Sequence, residues 1–128
     1  MLEVSVSDDQ QLTLHNAWGA IDCVFAINPN HVRNQMEGGF IDGLNAALFN
    51  DVEIEQGRTL NNNFHSMRWM RQKESPVDVQ VAILENDYPP TGVGEPPTAP
   101  AAAALANAIY AASGKRIREL PIANQIKI

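Results

Sequence analysis

The chain has one cysteine, Cys23, and that scarcity removes two classes of protein at once. A lone thiol cannot build an internal disulfide framework, nor a multi-thiolate zinc or iron–sulfur site within the chain. Cations are scarce as well: nine Lys and Arg against fifteen Asp and Glu leave a net charge of −6. Apart from Lys115-Arg116-Ile117-Arg118 they are scattered, which argues against a surface that holds nucleic-acid phosphates. No uninterrupted apolar run approaches the ~18 residues of a membrane span. The opening Met1–Asp9 lacks the basic-then-apolar layout of a secretion signal. Taken as it stands, the chain is expected to be soluble and cytoplasmic. His15, His31 and His65 each stand without a second histidine at ligand spacing, so no metal site is expected from them. Internal repeats and flexible linkers are absent too.

What is present is ordinary globular composition: 128 residues, 45% hydrophobic and 19% charged. That amounts to a single domain over residues 1–128, or a piece of a larger one. Residues 2–7 alternate (Leu2, Val4, Val6 against Glu3, Ser5, Ser7), Asp8-Asp9-Gln10-Gln11 reads as a turn, and Leu12–His15 resumes the alternation. The pattern predicts a hairpin. Gly19–Ile27 is more continuously apolar and predicts a buried strand, in which Cys23 is a small hydrophobe and Asp22 needs polar partners. Asn28-Pro29 predicts a helix start, and Val32, Met36, Phe40, Leu44 and Leu48 form a stripe running to Phe49. Gly38, Gly39 and Gly43 lie inside that helix, at about 1 kcal/mol each relative to alanine. Close approach by another helix, or by a bulky ligand, would offset the cost. Asp51–Glu55 alternates again, with a turn at Gln56-Gly57. Pro76–Leu84 is the clearest strand. Strands and helices in mixed order predict an α+β fold, two main helices on a mainly antiparallel sheet.

Five of the eight prolines fall between Tyr88 and Pro100. Proline fixes φ and removes donors, so this stretch is predicted to be a stiff loop. Gly92 and Gly94 bracket Val93 and permit sharp bending or close approach to a ligand. Thr98 is positioned to cap a helix over Ala99–Ser113, closed by Gly114. The loop thus presents one ionisable side chain, Glu95, beside two glycines and a helix N-terminus. Two readings stay open on spacing alone. One is a rigid surface loop with an exposed glutamate; the other is a directed carboxylate that could serve as a base or a ligand.

Several stretches, taken in order, carry a family likeness. They are Asp22-Cys23, Ile27-Asn28-Pro29, Gln35-Met36-Glu37-Gly38-Gly39, Gly43-Leu44, Asn63-Phe64-His65, Gly92-Val93-Gly94-Glu95-Pro96, Ala106-Asn107-Ala108-Ile109 and Gly114-Lys115-Arg116-Ile117-Arg118. Together they resemble the C-terminal portion of the molybdenum-binding large subunit of the xanthine dehydrogenase and aldehyde oxidase family, in its bacterial isoquinoline 1-oxidoreductase β-subunit branch. The likeness runs from about Leu2 to Ile122. It implies a C-terminal subdomain of a molybdopterin-binding domain and an oxidoreductase that hydroxylates an N-heterocycle or aldehyde with oxygen from water. It assigns the catalytic base to Glu95 and contacts with the molybdenum–molybdopterin cofactor to Gln35, Gly38, Gly39, Gly92, Val93 and Gly94. No protein ligand to the metal is implied.

The family has glycine after the cysteine of its Asp-Cys pair, where this chain has Val24, read as drift within a strand. The family's subunit is also several times longer, so the chain carries the base without most of the site. Alone it is expected to lack both cofactor and activity. The partners implied are the remainder of the molybdenum-binding subunit and an iron–sulfur subunit, and the full-length subunit could be periplasmic. The alternative is a non-catalytic module that keeps the fold and self-associates into a homo-oligomer through apolar faces left uncovered.

Overall fold

The computed structural model describes all of residues 1–128. Its centre is the predicted hairpin: β1 (Leu2–Val6) runs antiparallel to β2 (Leu12–Val24). After β2 the chain enters helix α1 (Pro29–Phe49) and then a small antiparallel ribbon of β3 (Ile54–Glu55) and β4 (Arg58–Thr59). Gln56 and Gly57 at the ribbon's tip both take left-handed φ, 49° and 78°, the geometry of a tight hairpin turn. Strand β5 (Asp78–Glu85) returns to the main sheet beside β2, parallel to it, giving the order β1-β2-β5. A parallel pair requires a crossover, and α1 lies within it. Two of the three strand pairings are antiparallel. The chain ends in helix α2 (Thr98–Ser113) and an extended tail with a single helical turn at Ile122–Asn124.

Local chemistry explains the helix ends. The Asn28 side chain accepts hydrogen bonds from the backbone of Asn30 and His31, and Pro29 occupies the first helical position, where its missing N–H costs nothing. Gly114 closes α2 with φ 73°, a left-handed cap that glycine adopts freely. Helix α2 buries Ala101, Leu105 and Ile109, one residue per turn, against α1 and β1. Leu44, Leu48, Leu12, Leu14 and the tail residues Ile117, Ile122 and Ile126 complete the main core. A smaller cluster of Ile21, Cys23, Val32 and Met36 closes the other end of α1.

Four local expectations are corrected. β2 is one continuous strand, because an irregularity in the β1 pairing, between Leu2 and Val4, shifts the phase of its burial. Its end at Val24 leaves Phe25 and Ile27 outside the sheet, 66% and 90% exposed rather than buried. Asp22 is exposed, and its partners are the Asn86 side-chain amide at 2.6 and 2.7 Å and the Val24 N–H. Thr98 does not cap α2: it is the first residue of the helix, and its hydroxyl is engaged elsewhere.

Candidate functional site

The site begins where α2 meets α1. A Cβ at Gly39 would lie 2.6 Å from Pro97 Cγ, and one at Gly43 would lie 2.5 Å from the Thr98 carbonyl oxygen. No side chain fits in either gap. The glycines therefore let the first turn of α2 touch the α1 backbone, and the Thr98 hydroxyl locks the crossing by donating to the Gly39 carbonyl at 3.1 Å. Of the two explanations for these glycines, the neighbouring helix is the one observed.

That crossing seats the proline-rich loop. The Thr98 N–H donates to the Glu95 carbonyl at 3.0 Å, forming the turn that feeds α2. Val93 is half-buried against the Ile21–Met36 cluster, so its side chain anchors the loop. The Gly94 carbonyl oxygen lies 3.3 Å from the Cβ position of Gly39, and Gln35 Nε2 lies 3.6 Å from that of Gly94. Gln35, Gly39, Val93 and Gly94 are thereby brought together from two elements remote in sequence. The exposed side of this junction carries Gln35, Gly92, Gly94 and Glu95, and Gly38, next to Gly39 in α1, is exposed as well. Around Gly38 and Gly92 the space where a side chain would stand is empty to 4 Å.

Gly92, Gly94, Glu95 and Pro96 border one open depression. A second lies alongside, walled by Phe25, His31, Gln35, Thr91 and Val93. In sequence Phe25 reads only as part of an apolar run, His31 only as an isolated histidine and Thr91 as loop; nothing in their spacing signals that the end of β2, the first turn of α1 and the loop converge. Glu95 sits immediately before the N-terminus of α2, whose dipole favours negative charge there. No three His, Cys, Asp or Glu side chains of the chain converge, so a metal at this site would come with ligands from outside the chain, such as an organic group that carries it.

The surface fits such a group on one side only. It offers an exposed amide at Gln35, open space at Gly38 and Gly92, and a carboxylate at Glu95. Gly39 is packed against Pro97, while the half-buried Val93 walls the second depression.

Residues 1–76, more than half of the chain, match the family profile of the molybdopterin cofactor-binding domain. The chain belongs to that family. It is 32% identical over 114 residues to the β subunit of isoquinoline 1-oxidoreductase from Brevundimonas diminuta, covering 89% of this chain and 14% of that protein. It is 28% identical over 118 residues to the xanthine dehydrogenase molybdenum-binding subunit of Escherichia coli O157:H7, covering 88% and 16%. Among solved structures, quinoline 2-oxidoreductase from Pseudomonas putida 86 superposes with a TM-score of 0.77 at 22% identity, over 90% of this chain and 16% of that one. The chain therefore spans about one-sixth or less of the proteins it matches. No helix is long and apolar enough to cross a membrane.

Proposed function

We propose that the chain forms part of a molybdenum hydroxylase that oxidatively hydroxylates an N-heterocycle or aldehyde with water as the oxygen source, and that Glu95 is its base. The observation that carries the reading is the seating of the Glu95 loop on the glycine-bearing helix. Val93, Pro97 and Thr98 hold its ends against α1 and leave Glu95 exposed, next in sequence to the Gly94 that Gln35 approaches. A general base must be rigidly placed and reach its proton within hydrogen-bond distance. Prolines 96 and 97 and the Thr98 hydroxyl supply the rigidity.

When bound, the molybdenum–molybdopterin group supplies the redox chemistry, as cofactors generally do. The chain's own part is narrower. Gln35 offers donor and acceptor atoms to a polar group lying along Gly38 and Gly92, and Glu95 accepts a proton at the open end. Because the chain provides one side of the site, the other side belongs to the remainder of the molybdenum-binding subunit, with an iron–sulfur subunit as electron acceptor. The isolated chain then has no turnover.

Glu95→Gln in the assembled enzyme tests this. Removing a general base costs about 10²–10⁴-fold in turnover, and molybdenum content should stay unchanged. Near-normal turnover would remove Glu95 from the reaction.

A further inference from the structure

Beside the site, β2 has an edge that nothing in the chain covers. β1 pairs with β2 only as far as Met1: the Met1 ammonium donates to the Trp18 carbonyl at 2.6 Å, and the Trp18 N–H donates to the Met1 carbonyl at 2.9 Å. β2 continues to Val24. Backbone groups alternate sides along a strand, so those of Ala20 and Asp22 face the same edge as Trp18, and the sheet order places no strand beside them. Unpaired edge groups of this kind template the addition of another strand.

An apolar groove of ≈ 230 Å³ opens on the inward face at the same edge. Ala17, Gly19 and Ile21 form its floor, Met36 one wall, and Pro97 and Pro100 the other. The register defines what would enter it. Leu2 lies opposite Ala17, and both point inward. A strand continuing the line of β1 would place its first residue upstream of Met1 opposite Gly19 and its third opposite Ile21. Both would face the groove.

We infer that this edge receives an extended segment, antiparallel to β2, in line with β1 and apolar at alternate residues, supplied by the remainder of the molybdenum-binding subunit. The assignment of the segment to that subunit rests on the functional reading above; the geometry of the edge does not. The relatives named above leave more than four-fifths of their own length outside this chain to supply a strand. A second copy is the poorer occupant, since each copy carries a net charge of −6.

The test extends the full chain ahead of Met1 with the tetrapeptide Thr-Val-Thr-Val, which puts valine at the first and third upstream positions. Val-Thr-Val-Thr, of the same composition, is the out-of-phase control. A hydrogen bond from each of the Ala20 and Asp22 N–H groups to the added strand should slow amide exchange at both by about tenfold or more in the first variant. Its melting temperature should rise above that of the control. Equal exchange in the two variants, or no slowing in either, would overturn the proposal. Sedimentation and exchange on the unextended chain test the source. A monomer with fast exchange at both amides supports the subunit; a dimer already protected there would give the edge to a second copy. None of these readouts uses cofactor or turnover, so a failure of the Glu95 assignment leaves the strand result standing.

Discussion

At the residue scale, Val24 is the informative position. It adopts φ 73°, left-handed, at the irregularity where β2 and β5 slip register between Asp22 and Val24. A β-branched side chain is strained there by about 1–2 kcal/mol, whereas glycine is not. The departure from the family's glycine, read in sequence as drift within a strand, falls where the backbone needs glycine. Spacing alone could not reveal this, because Ile21–Val24 looks like continuous strand. Val24 and Val32 are both 7% exposed, so truncating either loses similar apolar burial. Strain relief separates them. Val24→Gly should change unfolding free energy by less than about 1 kcal/mol. Val32→Gly, in regular helix, should cost about 3 kcal/mol. Urea denaturation of both variants checks the contrast, and equal losses would mean that Val24 carries no strain.

At the element scale, the crossing of α1 and α2 decides which glycines can change. Alanine in a helix is favoured over glycine by about 1 kcal/mol. Gly38→Ala should realise that gain, since nothing lies within 4 Å of the new methyl. Gly43→Ala should reverse the sign and cost about 1–3 kcal/mol, because its Cβ would meet the Thr98 carbonyl oxygen at 2.5 Å and the Ala101 methyl at 2.7 Å. Denaturant midpoints of the two variants read the difference, and matching shifts would refute the close crossing. The elements were largely legible in sequence. The apolar stripe and the Asn28-Pro29 cap gave α1 its bounds, Gly114 gave α2 its end, and strict alternation located β5. The partner at Gly39 and Gly43 was not legible, since a glycine records that something is near without saying what. Met67–Arg71 had no period to read. It is held from outside, by the Met70 N–H donating at 2.7 Å to the buried Asn45 side chain and by the Arg68 guanidinium over the Phe49 ring at 3.7 Å.

At the scale of the whole molecule, the chain divides into a packed end and an open end, joined by α1. The packed end holds Leu44, Leu48, Leu105 and Ile122, all fully buried. The open end holds Gln35, Gly38 and the Glu95 loop. Stability should therefore respond to changes at the packed end without disturbing the loop, and the segment held against Phe49 offers a pH-dependent case. The Glu74 carboxylate accepts from Arg68 Nη2 at 2.9 Å and from the Arg71 N–H at 2.8 Å. Partial burial works to raise its pKa, but the Arg71 hydrogen bond and the Arg68 charge outweigh it and hold the pKa below the ordinary 4.5. A carboxylate with a depressed pKa stabilises the fold above its unfolded-state value and loses that contribution as pH falls through the folded one. Glu74→Gln should thus destabilise the chain near neutral pH, and its difference from the native chain should shrink steadily once pH drops below 4.5. Chemical denaturation of both chains across that range measures the shrinkage. A difference that stays constant with pH would show that Glu74 acts through its hydrogen bonds alone, and that its charge contributes nothing to holding the Met67–Arg71 segment on α1.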